Sequence, residues 1–157
     1  MSKTVRIALA GPGAFGIKHL DALKLIDGVE VVSIIGRELP KAQEVAQKYG
    51  VKHVTTELDE ALKLPEVDAV ILCTPTQMHA EQSIAAMKAG KHVQTEIPLC
   101  DKLDEGRAVV EMQKKTGLVA MCGHTRRFNP SHQYVHKKIA AGEYWWLGLK
   151  RRVWPHM

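Results

Sequence analysis

The sequence predicts an α/β fold, a doubly wound parallel sheet with helices on both faces. Three observations carry that expectation. Short apolar runs alternate with longer segments of helical periodicity along most of the 157 residues. The run Val67 to Cys73 has Asp68 as its single polar residue, which suits a strand buried on both faces. Between the first apolar run and the first helical segment stands Gly11-Pro12-Gly13-Ala14-Phe15-Gly16. Parallel neighbours require a crossover, and helical crossovers on both sides cover both faces of the sheet.

Val5 to Ala10 reads as the first strand, and Ala14 to Leu25 as the first helix, with Leu20, Leu23 and Leu25 near helical spacing. Val29 to Ile35 is the second strand. Pro40 suits the first turn of a helix that runs to about Tyr49 and stops at Gly50. Val51 to Thr55 is a weak third strand, and Thr56, with Asp59 three residues on, caps a short helix through Leu64. After the strand Val67 to Cys73, Thr76 to Ala89 is helical and ends at Gly90. His92 to Thr95 is the fifth strand, Asp101 caps a helix that stops at Gly117, and Val119 to Cys122 is the sixth strand. Pro130 to Ala141 is one more helix. The stretch Gly142 to Met157 holds all three tryptophans and breaks the rhythm.

Composition narrows the function classes. Apolar residues at 45% and charged residues at 25% are ordinary for a globular domain. No apolar run approaches the roughly 20 residues that span a bilayer, so no membrane partner is expected. The start, Met1-Ser2-Lys3-Thr4, lacks the apolar core and cleavage site of a signal peptide, so a cytoplasmic location is expected. Cys73, Cys100 and Cys122 are odd in number and far apart, which argues for reduced packing residues rather than a disulfide or zinc framework. The net charge of +5 is spread through helical segments apart from Lys150-Arg151-Arg152, whereas a nucleic-acid binder gathers its cations on one element. His132 and His136 sit four apart on the last helix, but no third ligand accompanies them and no metal site is expected.

A lone Gly-x-Gly-x-x-Gly is a weak signal, yet here it closes a strand and opens a helix, as a dinucleotide site requires. Gly11 permits the tight turn, Gly13 lets backbone approach a pyrophosphate, and Gly16 lets helix and strand pack closely. The first turn, with Ala14 and Phe15, presents free N–H groups and the positive end of the helix dipole to the diphosphate. This is the pattern of a Rossmann domain that holds a nicotinamide dinucleotide. Such sites usually carry a carboxylate for the ribose hydroxyls at the end of the second strand. This sequence has Ser33-Ile34-Ile35-Gly36-Arg37. The fork of Arg37 suits a 2′-phosphate, with Ser33 adding a hydroxyl, so NADP is the expected cofactor and NAD a possible one. Arg37 also fits a solvated loop residue, and Glu38 stands ready to neutralise it.

The glycine turn, Cys73-Thr74-Pro75-Thr76-Gln77-Met78-His79-Ala80-Glu81, Gly90-Lys91-His92-Val93 and Glu96-Ile97-Pro98 together resemble the glucose-fructose oxidoreductase and inositol dehydrogenase family, Gfo/Idh/MocA. The run Gly123 to Pro130 looks closest to its carboxy-hydroxymuconate semialdehyde dehydrogenase branch. The resemblance implies an NAD(P)-dependent oxidoreductase that moves a hydride between nicotinamide and a hydroxyl, hemiacetal or aldehyde carbon of a small, carboxylated substrate. It places Thr74, Pro75, Thr76 and His79 beside the ribose and nicotinamide, with Thr76 where the family commonly has Asn. It gives Glu96 to the nicotinamide ribose as a catalytic residue, and it sets Ile97 where the family carries a proton-handling Lys. An apolar side chain cannot move a proton. Read from the residues alone, Thr76 equally serves as a helix N-cap and His79 as a first-turn residue.

His124, Arg126 and Arg127 follow the sixth strand, at the edge where open parallel sheets bind ligands. His124 suits a proton acceptor, and the two arginines suit substrate carboxylates. Each also fits a plain capping, packing or solvated role. The expected organisation is a Rossmann domain over 1–124, a connecting helix over 125–141, and in 142–157 a truncated or altered start of the family's substrate domain. That C-terminal α+β domain is expected to be absent. Homo-oligomer contacts through Gly142 to Trp154 are expected, since Tyr144-Trp145-Trp146-Leu147-Gly148-Leu149 is strongly apolar. Two function classes stay open: a turning-over oxidoreductase, or a module that binds NADP(H) without turnover.

Overall fold

The computed structural model describes residues 4–143. In chain order these form β1 (Val5–Ala10), α1 (Ala14–Leu23), β2 (Val29–Ile35), α2 (Leu39–Tyr49), β3 (His53–Thr55), α3 (Leu58–Leu62), β4 (Ala69–Leu72), α4 (Thr76–Lys88), β5 (His92–Glu96), α5 (Leu103–Thr116), β6 (Ala120–Gly123), a 3-10 turn (Thr125–Phe128) and α6 (Pro130–Ala140). The chain divides into two compact units after Gly123.

In the first unit all six strands are parallel, in the order β3-β2-β1-β4-β5-β6. Chain order reverses between β1 and β4, the switch point at which such sheets open a crevice. Each face has its own core. Ile7, Leu9, Leu20, Ile34, Ala42 and Ile71 pack on the side of α1 and α2. Ala8, Ala10, Val70, Leu72, Met87 and Val109 pack on the side of α3, α4 and α5. A fully buried Leu such as Leu9 or Leu20 contributes roughly 1.5 to 3 kcal/mol. On β1, small Ala8 and Ala10 face the side of α3, α4 and α5, while the larger Ile7 and Leu9 face the side of α1 and α2.

The order and type of the elements follow the sequence reading apart from the added 3-10 turn, and several details differ. α1 ends at Leu23 rather than Leu25, whose side chain is 87% exposed. Thr56 does not cap α3; the Thr55 hydroxyl accepts the Glu57 N–H at 3.0 Å instead. Asp101 does not cap α5, because its carboxylate accepts from Gln77 at 2.9 Å, and Glu105 takes the Lys102 N–H. β2 carries a bulge: Ile7 pairs with Val31 but Ala8 pairs with Ser33, leaving Val32 as the extra residue. The bulge reverses the alternation, so Ser33 and Ile35 lie beside Ala8 and Ala10.

The second unit contains the 3-10 turn and α6, whose N-terminus is capped by Asn129 through the Ser131 N–H at 3.0 Å. The aromatic stretch from Tyr144 onward, on which the oligomer expectation rests, lies outside the described residues. Among the described residues no helix is long and apolar enough to cross a membrane, and no cluster of His, Cys, Asp or Glu suits a metal ion.

Candidate functional site

A crevice of about 760 Å³ opens at the C-terminal ends of β1, β2 and β4. Its walls include Gly11, Gly13, Arg37, Lys41, Thr74 and Pro75. The three glycines of the turn do different work. Gly11 has φ +88, and a Cβ on it would lie 2.4 Å from the Cys73 carbonyl oxygen. A Cβ on Gly16 would lie 2.2 Å from the Gly11 carbonyl oxygen. Both are required by backbone packing. At Gly13 a Cβ would meet nothing within 4 Å, so that residue faces open space at the start of α1. There the first N–H groups of the helix lack intrahelical acceptors, the arrangement with which helix N-termini bind anions. Ala14 and Phe15 are exposed in this first turn, with the Lys18 ammonium 5.0 Å from the Phe15 ring centre.

At the end of β2, Arg37 is exposed on the crevice wall. Glu38 is turned to Lys41, whose ammonium donates to its carboxylate at 3.0 Å. That hydrogen bond and charge, with a smaller effect from Arg37, hold the Glu38 carboxyl below the usual carboxylate range. Lys41 therefore stands on the same wall as Arg37, a second cation that sequence reading missed. Ser33 is not available to a ligand. The bulge puts it inside the sheet, fully buried, with its hydroxyl 2.9 Å from His53 Nδ1.

The β4–α4 turn is held from within. Thr74 Oγ1 donates to Gln82 Oε1 at 2.5 Å, and Thr76 is the first residue of α4, not its N-cap, a place taken by Pro75. His79 is 1% exposed, with Nε2 2.7 Å from the Thr74 carbonyl and Nδ1 2.7 Å from the Pro98 carbonyl. It does not line the crevice; it ties this turn to the loop after β5. That loop contains the cis bond Ile97–Pro98, with Ile97 40% exposed.

Glu96 ends β5 and is 6% exposed. Its Oε1 lies 2.8 Å from Nε2 of His19, on α1, and accepts from Gln94 Nε2 at 3.3 Å. Sequence reading singled out Glu96 but not His19, because a helix-face histidine does not announce a partner 77 residues away. Cys73, at the end of β4, has its thiol pushed up to about 12 by burial and by the Glu96 charge. In the second unit, His124 precedes the 3-10 turn, Arg126 and Arg127 lie on it, and all three are exposed.

The description "Oxidoreductase family, NAD-binding Rossmann fold" matches residues 5–124. The chain is 68% identical over 139 residues to the 4-carboxy-2-hydroxymuconate-6-semialdehyde dehydrogenase of Sphingobium sp. strain SYK-6, covering 88% of this chain and 44% of that protein. It is 34% identical to the scyllo-inositol 2-dehydrogenase (NAD(+)) of Bacillus subtilis, covering 91% of this chain and 42% of that one. Its fold matches a 3-ketoreductase from Actinomadura kijaniata, crystallised with TDP-benzene and NADP, at a TM-score of 0.81 and 26% identity, over 89% of this chain and 43% of that one. The chain thus spans under half the length of these relatives. With the six-stranded order, the glycine turn and the crevice at the switch point in place, the chain belongs to the Gfo/Idh/MocA oxidoreductase family and carries its NAD-binding Rossmann fold, a fold for a nicotinamide dinucleotide.

Proposed function

We propose that this chain is the cofactor-holding part of an NADP(H)-preferring dehydrogenase whose substrate is a small carboxylated semialdehyde or its cyclic hemiacetal. The observation that carries the cofactor choice is the pair of cations just after β2, where Arg37 and Lys41 stand on the crevice wall with Gly36 and Glu38 is already engaged by Lys41. A 2′-phosphate there gains charge-assisted hydrogen bonds from the two cations, and the adjacent Glu38 carboxylate is already paired with Lys41. The substrate class rests on the 68% identity to a semialdehyde dehydrogenase.

In this reading Gly13 and the first turn of α1, including Ala14 and Phe15, take the diphosphate. Thr74, Pro75 and Thr76 border the nicotinamide half, and Glu96 meets its ribose. Bound nicotinamide supplies the hydride acceptor. His124 takes the proton from the substrate hydroxyl, and Arg126 and Arg127 hold its carboxylates. A second reading, a module that binds NADP(H) without turnover, is favoured by Ile97, an apolar group where the family's proton-handling lysine stands.

Fluorescence titration with NADPH and NADH, followed by turnover with carboxylated aldehydes, tests both. Arg37→Ala is expected to weaken NADPH about tenfold or more and NADH much less; Lys41→Ala acts in the same direction by a smaller factor. Equal losses for the two cofactors remove the 2′-phosphate assignment. Binding without turnover favours the second reading.

A further inference from the structure

A carboxylate as buried as that of Glu96 is costly unless hydrogen-bonded. Three elements meet it. His19 reaches Oε1 from α1 at 2.8 Å, and Gln94 reaches the same oxygen from its own strand at 3.3 Å. On β6, Gly123 stands in register opposite Glu96. A Cβ on Gly123 would lie 2.8 Å from Oε1 and 2.8 Å from Gln94 Nε2, so only a residue without a side chain leaves the carboxylate its place. The two oxygens are therefore unequal. Both hydrogen bonds fall on Oε1, whereas Oε2 takes neither, and the described residues contain no buried side-chain oxygen lacking a partner, so Oε2 keeps access to solvent.

We propose that His19, Gln94 and Gly123 form a seat that fixes the Glu96 carboxylate by one oxygen and turns the other outward to the cofactor's nicotinamide ribose. His19 and Gly123 are then positioning residues that act through Glu96. The proposal rests on the reading of Glu96 as the ribose contact. Its physical content lies in the geometry of α1. The helix whose N-terminus faces the diphosphate site carries His19 one turn further on, so one rigid element sets both contacts. Preorganising an acceptor in this way spares the ordering cost that a free carboxylate meets on binding.

The test compares a ligand that reaches the nicotinamide half with one that does not. NADPH and adenosine 2′,5′-bisphosphate are titrated into the 157-residue chain, with NADH and ADP as a parallel pair. His19→Ala and Gly123→Ala are each expected to weaken the dinucleotide about fivefold to tenfold and to leave the half-ligand within about twofold. His19→Gln restores part of the loss, because its amide still donates. His19→Ala combined with Glu96→Ala binds no more weakly than Glu96→Ala alone, the non-additivity expected of groups acting as a unit. The clash at Gly123 involves only side-chain ends, so that variant retains its fold and carries the test should His19→Ala fail to fold. Equal weakening of both ligands means that the histidine merely braces α1, and overturns the proposal. Full dinucleotide affinity in both seat variants, with Glu96→Ala impaired, also overturns it. An unimpaired Glu96→Ala overturns instead the reading of Glu96 on which the seat depends.

Discussion

Replacing two glycines of one turn should separate binding from folding. Gly16→Ala adds a methyl 2.2 Å from the Gly11 carbonyl oxygen and 3.2 Å from a Leu9 methyl. The first contact is more than an ångström too short and is made to backbone, which cannot swing aside. Overpacking of this kind costs about 1 to 3 kcal/mol or more, and the better helix propensity of Ala returns about 1 kcal/mol. With a cost at the upper end of that range, as a backbone contact this short implies, a net loss of about 2 kcal/mol lowers Tm by roughly 4 to 8 °C in a chain of this size. Gly13→Val meets open space instead, so its cost to the fold is that of a poor N-cap, about 1 kcal/mol or less. The same isopropyl group fills the diphosphate gap, and NADPH affinity is expected to fall at least about a hundredfold, roughly 2.8 kcal/mol. Urea unfolding and cofactor titration on both variants measure the two effects. Undiminished NADPH binding by Gly13→Val would show that the gap is not where the diphosphate lies.

Two further outcomes follow from buried groups near the crevice. His79→Leu keeps the side-chain volume but removes both ring nitrogens from the Thr74 and Pro98 carbonyls, each 2.7 Å away. A neutral ring donates to one of these carbonyls, and losing that hydrogen bond costs about 1 to 3 kcal/mol; denaturant unfolding reads the loss, while NADPH affinity of the folded protein changes less than about threefold if His79 touches no cofactor atom. A larger drop in affinity without a drop in stability reverses that assignment. Cys73 concerns pH. Its thiol is raised from 9.0 to about 12, so the folded state stays protonated where the unfolded state ionises. Its contribution to stability is complete below pH 9.0 and is lost as pH rises towards about 12. The fall in unfolding free energy over that range is therefore shallower in Cys73→Ala than in the parent, and parallel curves would contradict the burial of this thiol.

How far the sequence discloses this depends on the range of the interaction. Strand and helix identities rest on local period, and β1, β2 and the start of α1 appear where the alternation and the glycine turn place them. Caps are finer. Thr56 and Asp101 are good N-cap residues, but a competing acceptor, Thr55, and a competing donor, Gln77, decide the outcome. The β2 bulge leaves no mark in the run Val29 to Ile35, since every residue there is apolar except Glu30 and Ser33. For that reason Ser33 looked available to a cofactor and is in fact turned inward onto His53. His79 and Glu96 were singled out by resemblance, while their tethers, Pro98 O and His19, come from other elements and carry no local signature.

The two halves of the proposed cofactor site are built on different physical terms. On the proposed reading, the nicotinamide half meets groups that buried hydrogen bonds fix before any ligand arrives: His79 joins the Thr74 and Pro98 loops, and His19 holds Glu96. In these water-poor surroundings charge interactions are screened little by salt. At the adenosine end, Arg37, Glu38 and Lys41 are exposed, and their interactions weaken within a Debye length of about 8 Å at physiological ionic strength. Geometry at one end and charge balance at the other therefore divide the task. If the proposed roles hold, substitutions around Glu96 are expected to act on how the reacting half is oriented, whereas substitutions at Arg37 and Lys41 are expected to act on which cofactor is chosen. A family that accepts either phosphorylated or unphosphorylated dinucleotide can change its preference at the exposed end without disturbing the buried one.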